Sequence, residues 1–364
     1  DRSDTDPRTR YASVKYRATS TLLIAAALCQ ACGPDGPTQP ILLDLTGMEA
    51  PVARKLRNMH RVIHRSPSAE SLGAFARALH AHALLTYAEW AYLAAAELAT
   101  GQDAYQHLHL AGVVASESDP VRAQEHLARA ADLRPDSPAT QLLRGRMLES
   151  LGRFDEAEEC YKTIVQHHPS SHASLGVGRS MLARGDAKGA LPHLDKARQL
   201  DPRHREVHEA RARCLNQLGR IEESRAAARR AGDLARPTPF LDQLQIRVAN
   251  ENISSEARLH RGAAQAQAGQ TAAAIKSFEG VLEVRKDHIE ALDYLALLVQ
   301  ETEPRRALGY LDRILAGNPD HIRALELRAR IKIRFRDRAG AEQDLRNLLR
   351  VQPDHAWARK TLRR

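Results

Sequence analysis

Histidines offer the first recognisable chemistry in this sequence. His60 and His64 stand four apart, a spacing that would put two imidazoles on one helix face where both could ligate a metal ion. His80 and His82, His107 and His109, and His167 and His168 form further pairs. Helices packed side by side could gather His80 with His107 into a metal-binding or pH-sensing cluster. No motif of the His-Glu-x-x-His kind accompanies His60 and His64, so the histidines are read as ordinary surface or groove residues and no metal site is assigned. Cys29 and Cys32 make the one Cys-x-x-Cys, but it falls in an apolar leader with no redox fold around it. Cys160 and Cys214 read as small core residues of separate helices. A hydrolase needs a nucleophile, a base and an orienting group held together. No nucleophile elbow, phosphate-binding loop, kinase signature or haem-attachment motif occurs. The expectation is a chain that is not an enzyme and takes no cofactor.

The elements that would position any such residue are helical. The clearest stretch is Pro138 to Ser171, PATQLLRGRMLESLGRFDEAEECYKTIVQHHPSS. Leu142, Gly145 and Leu148 recur at helical spacing in its first half, and Ala157, Tyr161 and Ile164 do so in its second. A Gly-Arg turn joins the halves and Pro169 closes the unit. Gly145 and Ala157 let the two helices approach, while Leu148 and Tyr161 fill the volume around them. The 34-residue unit, carrying G-x-x-L at 145–148, L-G-R-F-D-E-A at 151–157 and Pro169, resembles the tetratricopeptide repeat family. That resemblance implies an all-α fold: a right-handed superhelical solenoid of antiparallel helix hairpins, which holds partners rather than performing chemistry.

Composition agrees with such an array. Apolar residues make up 43% of the chain but aromatics only 4%, as suits helices that pack through Ala and Leu. The net charge of +9 mixes 54 basic with 45 acidic residues and contains no long basic block, so acidic protein partners are favoured and nucleic acid is not assigned. In register, a capping helix over 51–68 precedes repeats 1–5 over 69–238. An irregular or helical insertion follows at 239–254, where Leu241, Leu244 and Val248 could form a helix. Repeats 6–8 occupy 255–355, and 356–364 starts a basic capping helix. The seventh repeat is one residue short, with Glu303-Pro304 opening its second helix.

The N-terminal segment differs from the rest. A basic flank (Arg8, Arg10, Lys15, Arg17) precedes the short apolar stretch Leu22–Leu28, which is too short to span a bilayer stably. This pattern describes an export signal over 1–32. Ala31-Cys32-Gly33 resembles the end of a bacterial lipoprotein signal, which implies lipidation at Cys32, although Cys29 and Gln30 depart from that pattern. Residues 33–50 then form a tether and an ambiguous segment. The implied location is periplasmic, with membrane attachment only through the lipid. It is cytoplasmic if the leader is not a signal.

The family resemblance also implies where a partner would lie, because the fifth and ninth positions of each repeat point into the concave groove. The ninth position is Arg77, Arg146, Arg179, Arg213 and Arg330 in five repeats, and the fifth is Leu108, Leu142, Leu175 and Leu259 in four. Neighbouring groove positions add His172, Glu206, Glu209, Asn216 and Gln217. Leucine beside arginine would give an apolar shelf and a fork donor for a carboxylate, so the expected partner is a protein or peptide mixing apolar and acidic residues. The bland alternative pairs each Arg along its own helix: Arg146 with Glu149, Arg213 with Glu209, Arg330 with Glu326. Arg77 and Arg179 have no acidic residue at three or four positions. Family members that clamp a chaperone's C-terminal carboxylate carry Lys at the fifth and Asn at the ninth position of the first repeat. Gly73 and Arg77 stand there, which counts against that partner class. The competing role is a structural or regulatory subunit of a cell-envelope enzyme assembly that uses its convex surface.

Overall fold

The computed structural model describes residues 43–235 and 242–363; the leader, Cys29 and Cys32 lie outside the described residues. From Leu45 onward the chain forms one compact unit of helices. A capping helix α1 (Ala50–Arg65) is followed by five hairpins: α2 (Ala69–Ala81) with α3 (Leu85–Leu98), α4 (Gly101–Ala115) with α5 (Pro120–Leu133), α6 (Pro138–Ser150) with α7 (Phe154–His167), α8 (Ser171–Ala183) with α9 (Ala187–Leu200), and α10 (Arg205–Gln217) with α11 (Ile221–Gly232). A short helix α12 (Gln243–Asn250) falls in the segment that breaks register. Three more hairpins follow: α13 (Ser255–Gln267) with α14 (Thr271–Leu282), α15 (Ile289–Val299) with α16 (Pro304–Gly317), and α17 (Ile322–Arg334) with α18 (Arg338–Val351). The basic helix α19 (Ala356–Leu362) ends the array. The fold is all-α, a solenoid of antiparallel hairpins.

Local chemistry accounts for the helix starts. Ser68, Asp119, Ser137, Ser170, Asp186 and Ser254 each accept a backbone N–H of the first turn that would otherwise lack a partner. In the C-terminal repeats His288, His321 and His355 take the same role, their Nδ1 atoms accepting from the amides of Ala291, Ala324 and Ala358 at 3.4, 3.2 and 3.4 Å. Those histidines therefore cap helices. Most hairpin turns contain one residue with positive φ, Gly152 at +74° in the third repeat and Arg336 at +61° in the eighth; the turns of the second and seventh contain none. The seventh repeat is short in its first helix, 11 residues in α15 against 13 in α6, and not in the inter-helix turn, which at 300–303 is no shorter than 151–153 of the third repeat.

The core is a series of small clusters, each bridging one hairpin to the next, as expected for a quasi-one-dimensional array. Leu142, Leu148, Tyr161 and Ile164 pack with Ala173 and Val177 of the following repeat. Leu175, Leu194 and Ala197 pack with Val207 and Cys214 of the repeat after it. Close helix approach depends on glycine. A Cβ on Gly145 would lie 2.6 Å from the Tyr161 ring, and one on Gly176 would lie 2.5 Å from it. Tyr161 thus fills the space between two missing side chains. Cys160 and Cys214 are buried free thiols whose pKa burial raises.

Candidate partner groove

Two stretches of first helices in the array differ in what covers them. The first lies over α2 and α4, and α12 occupies it. An eight-residue helix is marginal in water by itself, so its order depends on what surrounds it. Asp242 caps it in a reciprocal box with Gln245, the two side chains bonding one another's backbone amides at 2.7 and 3.2 Å. Asp242 Oδ2 also meets Nε2 of the buried His109 at 2.5 Å, and His109 Nδ1 is held by Thr140 Oγ1 at 3.0 Å. Burial pushes the Asp242 carboxyl up, but the hydrogen bond and charge of His109 and the amides of Gln245 and Leu244 outweigh it, leaving the group below its usual value. Leu244 packs against the cluster of Tyr105, Leu108 and Ala130, and Val248 is buried.

The far end of α12 is fastened as well. The Arg77 guanidinium donates to Glu251 at 2.8 Å, and Lys55 Nζ donates to the Glu251 carbonyl at 3.3 Å. Asn252 donates to the Ala81 carbonyl at 2.7 Å, and Arg261 covers the carbonyls of Asn250 and Asn252 at 3.0 and 2.7 Å. The amide of Ser255 donates to Glu49 at 2.8 Å, so the sixth repeat begins beside the start of α1. Arg77 and Leu108, both predicted groove residues, are therefore engaged within the chain.

The second stretch runs across α6, α8 and α10. Here Arg146, Arg179 and Arg213 line a pocket of about 670 Å³ together with Glu149, Glu206, Phe154 and Leu182. Arg179 pairs with Glu149 one repeat back and lies 4.0 Å from Glu206 one repeat on. Burial raises the pKa of Glu149, against the opposing effect of Arg179 and the Tyr161 hydroxyl. Arg146 and Arg213 are exposed and make no ion pair among the described residues. The expected local partners are taken elsewhere, Glu149 by Arg179 and Glu209 by Arg205 at 2.8 Å. Three arginines face two glutamates, so the pocket keeps a surplus of positive charge.

The other predicted positions divide. Leu108, Leu142 and Leu175 are 4%, 7% and 3% exposed and belong to the interhelical core, so they do not form the expected apolar shelf. The apolar lining of the central pocket comes instead from Phe154 and Leu182, at the helix ends that flank the turns. Leu259 is partly buried against the cluster around Phe278 and Leu295. His172 lies beside His204, ring centroids 4.6 Å apart, and burial lowers both pKa values. Asn216 is exposed on α10, next to the pocket-lining Gln217. Arg330 pairs with Glu326, as the local spacing predicts, and stacks over Trp357 at 4.3 Å from the ring centre. His80 and His107 each contact Tyr92, at centroid distances of 6.0 and 6.3 Å. Among the described residues no three His, Cys, Asp or Glu side chains are placed to hold a metal ion, and no helix is long and apolar enough to cross a membrane.

The placement of α12 in a groove had no clear sequence signature. The Asp242-x-x-Gln245 box marks the helix start, but nothing local says which surface the helix covers.

The family profile described as tetratricopeptide repeat matches residues 115–175 and 181–244. Among solved structures, a tetratricopeptide repeat protein from Parabacteroides merdae is 13% identical, with 81% of this chain and 97% of that one covered at a TM-score of 0.40. MamA from Desulfovibrio magneticus RS-1 is 16% identical over 50% of this chain and 94% of that one, at a TM-score of 0.38. A comparison with curated protein sequences gives no match.

Proposed function

We propose that this tetratricopeptide-repeat chain is a non-catalytic protein-interaction scaffold whose central concave pocket receives a partner segment carrying carboxylates beside apolar residues. The observation that carries this reading is the pair of exposed guanidiniums, Arg146 and Arg213, with no acid of their own beside Phe154 and Leu182. A guanidinium fork matches a carboxylate in two parallel hydrogen bonds. Arg179, already held by Glu149 and near Glu206, sets the spacing between the two unpaired groups. Phe154 and Leu182 offer the apolar contact that excludes water from such pairs.

Charge-assisted hydrogen bonds of this kind contribute about 1.5–3 kcal/mol each when partly desolvated. Replacing Arg146, Arg179 and Arg213 together by alanine should therefore weaken a partner peptide at least tenfold, with helicity unchanged by circular dichroism. A display selection on the wild-type chain, counter-selected with that triple variant, tests the chemistry. Recovered peptides should be rich in Asp and Glu next to apolar residues. Peptides lacking acids, or binding both proteins equally, would remove the pocket from consideration.

The leader supports a location outside the cytoplasm, with Cys32 as the lipid-bearing residue. Metabolic labelling with an alkynyl fatty acid should tag the wild-type chain in a bacterial host and miss Cys32→Ser. Equal labelling of both would reject lipidation at that cysteine.

A further inference from the structure

We propose that the groove over the first two repeats is a second receptor site, specific for a short helix with a carboxylate at each end, and that Asp242–Asn252 is a built-in occupant which a partner helix of that chemistry displaces. The contacts define the ligand. Its N-cap carboxylate meets His109 at 2.5 Å, and a carboxylate just past its C-terminus meets Arg77 at 2.8 Å with Lys55 at 3.9 Å. Between them, apolar residues at the second and sixth helical positions, Leu244 and Val248, face inward. The groove thus supplies a hydrogen-bonding imidazole at one end, the cations Arg77 and Lys55 at the other, and an apolar floor at Leu108, which is the complement of a short amphipathic helix.

Two features make the occupant exchangeable in principle. An eight-residue helix contributes little stability of its own. The ion pairs at its C-terminal end are also partly exposed, with Arg77 and Glu251 at 25% and 28%. A covalently attached occupant lowers the apparent affinity of any free competitor by the fraction of time the groove is filled. The array would then accept a partner at its N-terminal end only when that partner matches or exceeds the tethered segment. This site shares no residue with the central pocket, so each can fail without the other.

The test uses a fluorescent peptide of residues 242–252 and two full-length proteins, wild type and the variant D242N/L244A/E251Q. Fluorescence anisotropy should show at least tenfold tighter binding to the variant than to wild type. That gain should be lost on adding Arg77→Glu and unaffected by Arg146→Ala. If the variant melts at a lower temperature, excess peptide should restore its Tm. Equal binding to both proteins, or a lowered Tm that peptide does not restore, would make α12 a fixed strut and overturn the proposal.

Discussion

The grooves over repeats 1–2 and over repeats 3–5 are both lined by first helices of the hairpins, yet their basic residues meet different fates. At the N-terminal end Lys55, Arg77 and His109 all find acids, and those acids come from about 130 to 200 residues away along the chain. In the centre Arg146 and Arg213 make no ion pair among the described residues, although a glutamate sits within one turn of each. Charge pattern along one helix therefore does not decide which arginine is available. Competition does: Glu149 lies closer to Arg179 of the next repeat, and Glu209 to Arg205 on its own helix. One repeating unit thus leaves its basic residues paired at one end of the array and in surplus at the middle.

Acid should separate the two regions most strongly. Burial holds His80 down to about 4 from 6.5, and His82 shifts the same way, its burial aided by the charge of Lys55. Between those pH values the unfolded chain binds more protons than the folded one. The stability tied to neutral His80 is fully present above 6.5 and is lost as pH falls towards 4. A shift of this size is worth at most about 3 kcal/mol, on the order of 2 kcal/mol of it by pH 5. Urea titration followed by Trp90 fluorescence, which reports on α3, should show this loss, and His80→Leu should flatten the pH slope.

A packing change strikes the central region instead. Gly176→Ala places a methyl against the Tyr161 ring, which also abuts Gly145. Overpacking of this kind costs about 1–3 kcal/mol. Chemical denaturation should show that loss, and a smaller residue in place of Tyr161 should recover part of it.

Single arginine removals sharpen the contrast. Arg77→Ala breaks the Glu251 contact and should destabilise the chain by about 1 kcal/mol, with faster amide exchange across α12. Arg146→Ala removes no intrachain ion pair and should leave stability unchanged within about 0.5 kcal/mol. A gain in stability is expected away from both regions. Arg336→Gly relieves a left-handed backbone position at the eighth turn and should raise stability by about 0.5–1 kcal/mol, read as a higher Tm.

Much of the architecture was legible in the sequence, because hairpin periodicity is a local property. The small residue Gly145, the aromatic Tyr161, the turn at Gly152 and the proline at 169 announce a unit that folds by contact with its neighbours. Leu244 and Val248 of the 239–254 insertion lie on α12, while Leu241 lies outside the described residues. Site contents were less legible for a physical reason. The fifth-position leucines face the groove in register, but the next repeat closes over Leu142 and Leu175, and α12 closes over Leu108. The pairings of Arg77 with Glu251 and of His109 with Asp242 span the whole N-terminal half, and no spacing rule reaches that far. The pocket's apolar lining at Phe154 and Leu182 went unnoticed because both lie beside turns, outside the groove positions that the repeat register marks.

The central proposal is that a partner enters over the first helices of repeats 3–5 and not over the outer, second helices. Site-specific photo-crosslinking decides between them, with one benzophenone at Gln217 in the pocket and another at Glu159, 74% exposed on the second helix α7. With an acidic, apolar peptide selected on the wild-type chain, the account predicts an adduct from position 217, lost on Arg146→Ala with Arg213→Ala, and none from 159. An adduct from 159 without one from 217 would contradict it.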